Sequence, residues 1–376
     1  MTHRERVMST CERKGYDRIP IKHEATPEVN KELKDHFGLK NDSQLLAVVG
    51  DDFRNVEPKY IGPELRSFPD GSVEGYFGER YKYMQFDGGK YLESVYQPFA
   101  GVLEMADLDR SHFPSADWFD YSSVAGECKR LVDAGYAVCV GSAGDMDFIN
   151  SIARARGFEQ VLMDLIDDNE VYLEIMEARF RFYFNIHERM LKEARGNVDF
   201  AHVGDDLGNQ LGPMISMDIF ERHFAPKYGE YFRMVHSYGA KTMMHMCGTV
   251  WPFLDRLIEL GLDVYDVVQP TTEENGIAML CSRFGNRLIF QGSMDVQHEI
   301  AFGTPADVER EARLCLDLFP KGGLILGPSH AIQALSPVEN VVAIYRSAGS
   351  LMEKIPSWVM EIKGPEEAAI SMSKLF

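Results

Sequence analysis

The stretch "KTMMHMCGTVWPFLDRLIELGLDVYDVVQP", residues 241–270, indicates the fold class. It holds a short apolar run, a segment with apolar residues at helical intervals that ends near Gly261, and a second apolar run. This is the pattern of a strand, a crossover helix and a parallel strand. The same alternation extends over residues 198–328 and predicts five strands there. Their sequences are "VDFAHVG", "KTMMHM", "DVYDVVQP", "RLIFQGS" and "GGLILGP".

The first half of the chain is less regular. It predicts three strands, "RIPIKHE", "LLAVV" and "AVCVG", a helix at about 27–37, and helical segments from residue 149 to about residue 194. Eight strands alternating with helices predict a (β/α)8 TIM barrel, with an open doubly wound sheet as the alternative. No G-x-G-x-x-G follows the first strand, which disfavours the dinucleotide-binding form of that alternative. We expect one domain over residues 1–376.

Residues 71–99, "GSVEGYFGERYKYMQFDGGKYLESVYQPF", differ from the rest in composition. They are rich in aromatic residues and glycine, alternate partly with period two, and contain a "DGG" turn. This predicts a hairpin-like insertion at about residues 71–100. The sequence leaves open whether it covers the barrel mouth, serves as a docking surface, or packs its aromatic side chains on the barrel side.

Charge and composition restrict the partners. The chain has 39 basic and 58 acidic side chains and a net charge of −19. This charge repels phosphate backbones and anionic lipid surfaces, and no basic run offsets it, so we expect neither nucleic acid nor membrane partners. No apolar stretch reaches the ~18 residues of a membrane span, and the N-terminus lacks the apolar core of a signal peptide. Six scattered cysteines fit a reducing compartment, and we expect a cytoplasmic protein.

Polar residues stand at the predicted ends of several strands. In α/β barrels the active site lies at the C-terminal ends of the strands, so these residues are candidates for binding and catalysis. The predicted substrate contacts are His23, Glu24, Gln269, Gln291, Asp295 and Ser329.

The pair His245 and Cys247 is a candidate half of a metal site. Residues two apart at the end of a strand project to the same face. Imidazole and thiolate together suit Zn²⁺, which takes tetrahedral nitrogen and sulfur ligands. His330 is the best third ligand by chemistry, although it could instead contact substrate, and an aspartate at a strand end could supply an oxygen ligand. The alternative is that the pair serves only packing.

Two adjacent carboxylates, Asp205 and Asp206, follow the fourth strand in "HVGDDLGNQ". They cannot both point the same way if the strand continues, so we expect one to face inward and the other to brace the next loop. The inward carboxylate could orient a substrate, act as general acid or bind the metal. We therefore predict a catalytic role for this pair.

Three longer segments carry a family resemblance. They are residues 204–270, "GDDLGNQLGPMISMDIFERHFAPKYGEYFRMVHSYGAKTMMHMCGTVWPFLDRLIELGLDVYDVVQP", residues 284–297, "FGNRLIFQGSMDVQ", and residues 322–345, "GGLILGPSHAIQALSPVENVVAIY". The sequence resembles the uroporphyrinogen decarboxylase superfamily, and within it the corrinoid-dependent methyltransferases. The resemblance implies a (β/α)8 barrel, and homodimers are common in the superfamily.

The methyltransferase branch implies a cofactor and a partner. Its members resemble one another in a zinc ion held by an H-x-C pair and a later cysteine, and His245 and Cys247 match the pair. The later cysteine falls in the "GPSH" segment, where this sequence has His330. The resemblance implies methyl transfer from a small methylated substrate, such as an aryl methyl ether, a methylamine or methanol, to the cobalt of a corrinoid protein. The corrinoid ligand motif D-x-H-x-x-G is missing from this sequence, so we expect cobalamin on a separate partner.

The decarboxylase branch fits less well. Its members resemble one another in an arginine-rich motif near the first strand that grips a substrate with eight carboxylates. Here that region reads "IKHEATPEV", with one lysine and two glutamates. A metal-free decarboxylase or lyase remains the alternative, and a non-catalytic binding protein is a third hypothesis.

Overall fold

A curled parallel sheet organises the chain, for which the computed structural model describes residues 1–86, 88–270 and 275–364. The strands of the described residues are β1 (Phe53–Val56), β2 (Lys59–Tyr60), β3 (Val73–Glu74), β4 (Arg80–Phe86), β5 (Gly89–Tyr96), β6 (Phe119–Asp120), β7 (Ala137–Gly141), β8 (Phe200–Gly204), β9 (Gly208–Asn209), β10 (Gly212–Pro213), β11 (Lys241–His245), β12 (Val264–Val268), β13 (Ile289–Met294) and β14 (Leu324–Pro328). Seven of them form the curled sheet, in the order β1-β7-β8-β11-β12-β13-β14.

Helices connect the strands of this sheet. They are α1 (His3–Cys11), α2 (Pro27–Phe37), α3 (Asp42–Val49), α4 (Val124–Asp133), α5 (Asn150–Arg156), α6 (Phe158–Asp167), α7 (Glu170–Ala194), α8 (Met217–Ile219), α9 (Ala225–Ser237), α10 (Trp251–Leu260), α11 (Ile277–Phe284), α12 (Glu299–Phe302), α13 (Pro305–Leu318) and α14 (Val338–Ser347). Within the described ranges, none of the helices has both the length and the apolar character that crossing a membrane requires.

An extended segment around Ile21 joins the two edges of the sheet. On one side Lys22 N donates to Leu326 O at 3.1 Å and Leu326 N donates to Pro20 O at 2.9 Å. On the other side Asp52 N donates to Ile21 O at 2.9 Å. The segment therefore occupies the first strand position between β14 and β1. The predicted (β/α)8 fold is confirmed, with the first strand reduced to a bridge at Ile21.

The predicted strand "LLAVV" is wrong, because these residues belong to helix α3. The Asn41 side chain accepts a hydrogen bond from Gln44 N, and Gly50 ends the helix in the left-handed conformation. A short apolar run is compatible with a buried helix as well as with a strand, and here the two flanking caps favour the helix. The second barrel strand is β1, which begins at Phe53. The other six predicted strands and helix 27–37 are confirmed.

The barrel interior changes from apolar to polar along the strands. Side chains near the strand starts form a small apolar cluster that includes Phe200 and Met243, and helix α1 packs against it through Val7. Two residues further along the same strands, His202 and His245 follow with the same inward orientation. The polar interior layer therefore lies toward the C-terminal mouth.

The insertion forms a three-stranded antiparallel sheet from β3, β4 and β5. Strands β4 and β5 pair over their whole length and meet at Phe86 and Gly89, so the predicted hairpin is confirmed. The first residue of the predicted "DGG" turn, residue 87, lies outside the described residues. A Cβ on Gly88 would lie 2.6 Å from the Leu335 side chain, so the tip of the hairpin rests on the loop after β14.

Candidate active site

Three predicted metal ligands meet at the barrel mouth. His245 ends strand β11, Cys247 follows two residues later, and His330 stands two residues beyond β14. His245 Nε2 lies 3.2 Å from Cys247 Sγ, and the rings of the two histidines are 6.0 Å apart. One ligand atom from each of the three residues lies within 4.8 Å of the others. This donor set of two nitrogens and one sulfur fits zinc.

A buried carboxylate stands behind His245. Asp266, in the middle of strand β12, places Oδ2 3.2 Å from His245 Nδ1. The same oxygen lies 2.7 Å from His202 Nε2, and Lys22 Nζ lies 3.8 Å from Asp266 Oδ1. Contact at Nδ1 leaves Nε2 of His245 to face Cys247, which is the orientation that a metal ligand requires.

The charges in this network compensate one another. Burial opposes ionisation of Asp266, but Lys22 and His202 hold the pKa of its carboxyl well below the usual range. Burial opposes the charged form of His245 as well and by itself would lower its pKa. The charge of Cys247 and the hydrogen bond to Asp266 outweigh burial and raise the pKa of His245 well above its ordinary value. For His330, burial is outweighed by the hydrogen bond to Cys247, and its pKa is raised. Both histidines therefore favour their positively charged form beside the sulfur. A bound cation would place positive charge at the same position.

The carboxylates of Asp205 and Asp206 diverge. Asp206 Oδ1 accepts from Cys247 N at 2.9 Å, and its Oδ2 accepts from Asn150 Nδ2 at 2.8 Å. Asp205 Oδ2 instead accepts from Tyr228 OH of helix α9 at 2.5 Å. Burial and the neighbouring Asp147 carboxylate raise the pKa of Asp205 well above its usual range.

A cleft continues from these residues to the surface. Three adjoining cavities of about 140, 430 and 240 Å³ all have Tyr91 and His330 in their walls. Tyr91 belongs to strand β5, so the insertion forms part of the rim of the mouth. The first cavity also reaches His245 and Asp206, and the second reaches Cys247.

Two of the predicted substrate contacts line this cleft. Glu24 borders the 140 and 240 Å³ cavities, and its carboxylate lies 3.4 Å from Lys22 Nζ. Burial raises the pKa of Glu24, but Lys22 outweighs it and keeps the pKa below its usual value. Gln269 borders the 430 Å³ cavity, and its Oε1 accepts from Gly248 N at 2.7 Å.

His23 and Gln291 lie elsewhere. The His23 ring is hydrogen-bonded to Tyr345 OH through Nδ1 and lies 2.8 Å from Asn30 Oδ1 through Nε2, so it faces helices α2 and α14. Gln291 is fully buried in the barrel interior, where its side-chain amide donates to the Asp266 carboxylate behind His245. Neither residue lines the three cavities of the cleft.

Asp295 and Ser329 brace the loops after β13 and β14. Asp295 Oδ1 accepts from Gln297 N at 2.7 Å, and Oδ2 lies 2.8 Å from His298 Nδ1. Ser329 Oγ accepts from Val296 N at 3.1 Å. Neither residue lines the cleft either.

Two further groups in the described ranges have metal-ligand chemistry. His202, His245 and Asp266 form one, inside the ion-pair network of the barrel. Asp295, His298 and Glu299 form the other, in which the His298 side chain is 68% exposed. The group with Cys247 differs from both because it includes sulfur and opens onto the cleft.

Several residues at the site were not predicted. Asp266 had a signal, because a carboxylate inside the apolar run "VYDVV" must be compensated when buried, and Lys22 follows the apolar "IPI" in the same way. Asp147, Asn150 and Arg154 line the cleft from the loop and helix α5 that follow β7, several residues beyond the predicted strand end.

The comparison with protein families agrees with this geometry. The family profile described as Uroporphyrinogen decarboxylase (URO-D) matches residues 102–350, which contain the three predicted metal ligands. The chain belongs to the uroporphyrinogen decarboxylase family. The resemblance inferred from the sequence segments is thereby confirmed, and the family's barrel explains why the candidate ligands at the ends of β11 and β14 meet at one mouth.

Two solved structures also resemble the chain over most of its length. A methyltransferase from Methanosarcina mazei shares 16% identity over 93% of this chain and 98% of that chain, with a TM-score of 0.63. A putative vitamin-B12 independent methionine synthase from Listeria monocytogenes shares 10% identity over 91% of this chain and 98% of that chain, with a TM-score of 0.41. Only the first bears on the fold, and it supports the barrel assigned to this family member. No curated protein sequence matches the chain.

Proposed function

We propose that the protein is a zinc-dependent methyltransferase that moves a methyl group from a small methylated compound to the cobalt of a corrinoid protein. The observation that carries the proposal is the convergence of His245 Nε2, Cys247 Sγ and His330 at the barrel mouth. Three protein ligands at an open cleft are typical of a catalytic zinc site, which keeps one position for water or substrate.

His245, Cys247 and His330 would hold the metal. When bound, zinc acts as a Lewis acid that improves the departing oxygen, nitrogen or sulfur of the methyl donor as a leaving group. Asp266 fixes the orientation of the His245 ring through Nδ1. Asp206 accepts from the backbone N–H of Cys247 and so fixes the position of the sulfur-bearing residue at the cleft wall.

Asp205 supports a second contribution, the supply of a proton. Burial and the neighbouring Asp147 carboxylate raise the pKa of Asp205, which favours retention of a proton on this carboxyl pair. Both residues border the 140 Å³ cavity beside His245. We assign proton donation toward the departing group to the Asp147–Asp205 pair and substrate orientation to Asp206.

Size and openness of the cleft support a macromolecular co-reactant. A corrin ring must approach the methyl group closely, so the mouth has to admit a flat group far larger than a methylated substrate. The 430 and 240 Å³ cavities lie side by side between the metal ligands and the insertion, with Tyr91 between them. We propose that the corrinoid is carried by a separate protein.

A metal-free decarboxylase of the same family is the second candidate. The family match favours it, and so does the raised pKa of Asp205 beside Asp147, because decarboxylation needs a proton for the carbanion that remains. In that case Cys247 would have no direct part in the reaction.

Metal content separates the two candidates. We expect near-stoichiometric zinc in the purified protein, a strong loss in Cys247→Ala and His330→Ala, and no loss in Cys281→Ala, a half-buried cysteine of helix α11 outside the cleft. Methyl transfer from a panel of methyl ethers, methylamines and methanol to free cob(I)alamin should follow the zinc content. A protein without zinc, even after reconstitution, that keeps its activity in Cys247→Ala would favour the metal-free reaction.

A further inference from the structure

A separate cavity lies between the C-terminal ends of β1 and β7 and the middle of helix α7. It has a volume of about 60 Å³ and is partly open to solvent. It shares no lining residue with the three cavities of the cleft. The segment 142–147 separates the two regions, because Ala143 and Gly144 line the cleft while Asp145 lines this cavity.

Aromatic rings form much of its wall. Tyr76, Phe119 and Tyr183 line it, and the first two rings lie 5.9 Å apart at 78°. Tyr76 comes from the insertion and Tyr183 from helix α7, so two separate elements supply the rings. In the described residues, Arg179 is the only lysine or arginine in contact with any of these three rings. Its guanidinium lies 4.8 Å from the Tyr183 ring centre. Arg179 itself does not line the cavity.

Two carboxylates complete the wall. Asp145 is held in place by Ser142 N and Ser142 Oγ, each at 3.0 Å, and by His187 Nε2 at 3.0 Å. The other ring nitrogen of His187 lies 2.7 Å from Tyr231 OH, and the ring is 1% exposed. Glu57 is half-buried at the edge of the same space. Among the residues that the structure describes, no lysine or arginine lines the cavity.

We propose that this cavity binds a small organic cation of the alkylammonium class. Aromatic faces attract a cation through their quadrupoles, and two carboxylates without a lining lysine or arginine add to that attraction. An anion would meet the repulsion of Glu57 and Asp145. A neutral apolar ligand would remove the Glu57 carboxylate from water without compensation. The inference is independent of the proposed methyl transfer.

Calorimetric titration of the full-length protein tests the proposal. The probes are choline, tetramethylammonium and methylammonium, with 3,3-dimethylbutan-1-ol as the uncharged isostere of choline. We expect at least one cation to bind, and the isostere to bind at least about tenfold more weakly than choline if choline is that cation. Tyr76→Leu and Glu57→Gln should each reduce the affinity about tenfold, whereas Tyr76→Phe should keep it within about threefold.

Two controls locate the binding. Glu64→Gln replaces an exposed glutamate outside the cavity, and Asp206→Asn alters the cleft; both should leave the affinity unchanged. Absence of binding by all three cations would overturn the proposal. So would equal affinity for choline and its isostere, or a loss in Asp206→Asn with none in Glu57→Gln. Because Glu57 is half-buried, its variant keeps the test valid even if Tyr76→Leu does not fold.

Discussion

His245 Nδ1 and Asp266 Oδ2 lie 3.2 Å apart on neighbouring strands of the barrel. This contact joins the candidate metal site to the buried network of Lys22 and His202. The orientation of His245, a candidate ligand, therefore depends on a residue that lines none of the three cavities of the cleft.

Asp266→Asn should weaken zinc binding without removing a ligand. The amide keeps the shape of the side chain but loses the charge that orients and polarises His245, so we expect an affinity about 10- to 100-fold lower. Competition with a metal chelator at fixed pH measures the change. Asp255→Asn, at an exposed ion pair with Arg287, is the matched control and should be neutral. Equal affinity in Asp266→Asn and the unmodified protein would contradict the assignment.

Gly248→Ala should be strongly destabilising. Gly248 has φ +73°, and a Cβ there would lie 2.4 Å from the backbone of Asn209. The left-handed conformation alone costs roughly 1–2 kcal/mol for a residue with a Cβ, and the clash adds to that cost. Gly239→Ala, at φ +80° with open space around it, isolates the conformational part. In urea unfolding, the loss in free energy of unfolding for Gly248→Ala should exceed that for Gly239→Ala by about 1 kcal/mol or more. Equal losses would show that the loop moves enough to relieve the contact with Asn209.

The strands of the second half could be predicted because parallel strands are buried on both faces and their sequences are continuous apolar runs. The run "LLAVV" has the same composition, and only the flanking Asn41 and Gly50 distinguish it as a helix. The first strand position holds only a bridge at Ile21. How many residues of a segment pair with its neighbours depends on tertiary contacts, and no local pattern in the sequence reveals that number.

The strand-end rule located part of the site. It identified His245, Cys247 and His330, which the structure brings together. It could not give side-chain direction once a strand had ended: His23 turns toward Tyr345, and Asp295 turns back to its own loop.

The strand-end rule did not identify residues that lie elsewhere in the fold. Asp266 lies inside a strand, and Tyr91 reaches the cleft from an insertion distant in sequence. The roles of such residues depend on tertiary contacts, which a single sequence does not contain.

Glu311→Gln should change how stability depends on pH. Burial raises the pKa of Glu311 to about 8, against the hydrogen bond from Asp295 N. The folded state therefore binds a proton that the unfolded state releases near pH 4, and stability falls as pH rises toward and through 8. The amide cannot ionise, so the Tm of Glu311→Gln relative to the unmodified protein should increase between pH 5 and pH 9. Glu309→Gln, on the exposed face of the same helix, should show no such trend. A constant Tm difference would mean that Glu311 titrates normally.

Tyr91→Ala should separate metal binding from turnover. Tyr91 lines all three cavities of the cleft but lies outside the group of candidate metal ligands, so zinc content should not change. If the insertion forms the rim over which the substrate and the corrinoid enter, loss of this ring should lower kcat/KM for methyl transfer about tenfold, the effect of misplacing a substrate at one contact. Tyr96→Ala removes an equally exposed tyrosine of the same strand that does not line the cleft, and should be near neutral. Equal activities of the two variants would mean that the insertion only packs its aromatic side chains on the barrel side. A loss of zinc in Tyr91→Ala would show that the ring supports the metal ligands themselves.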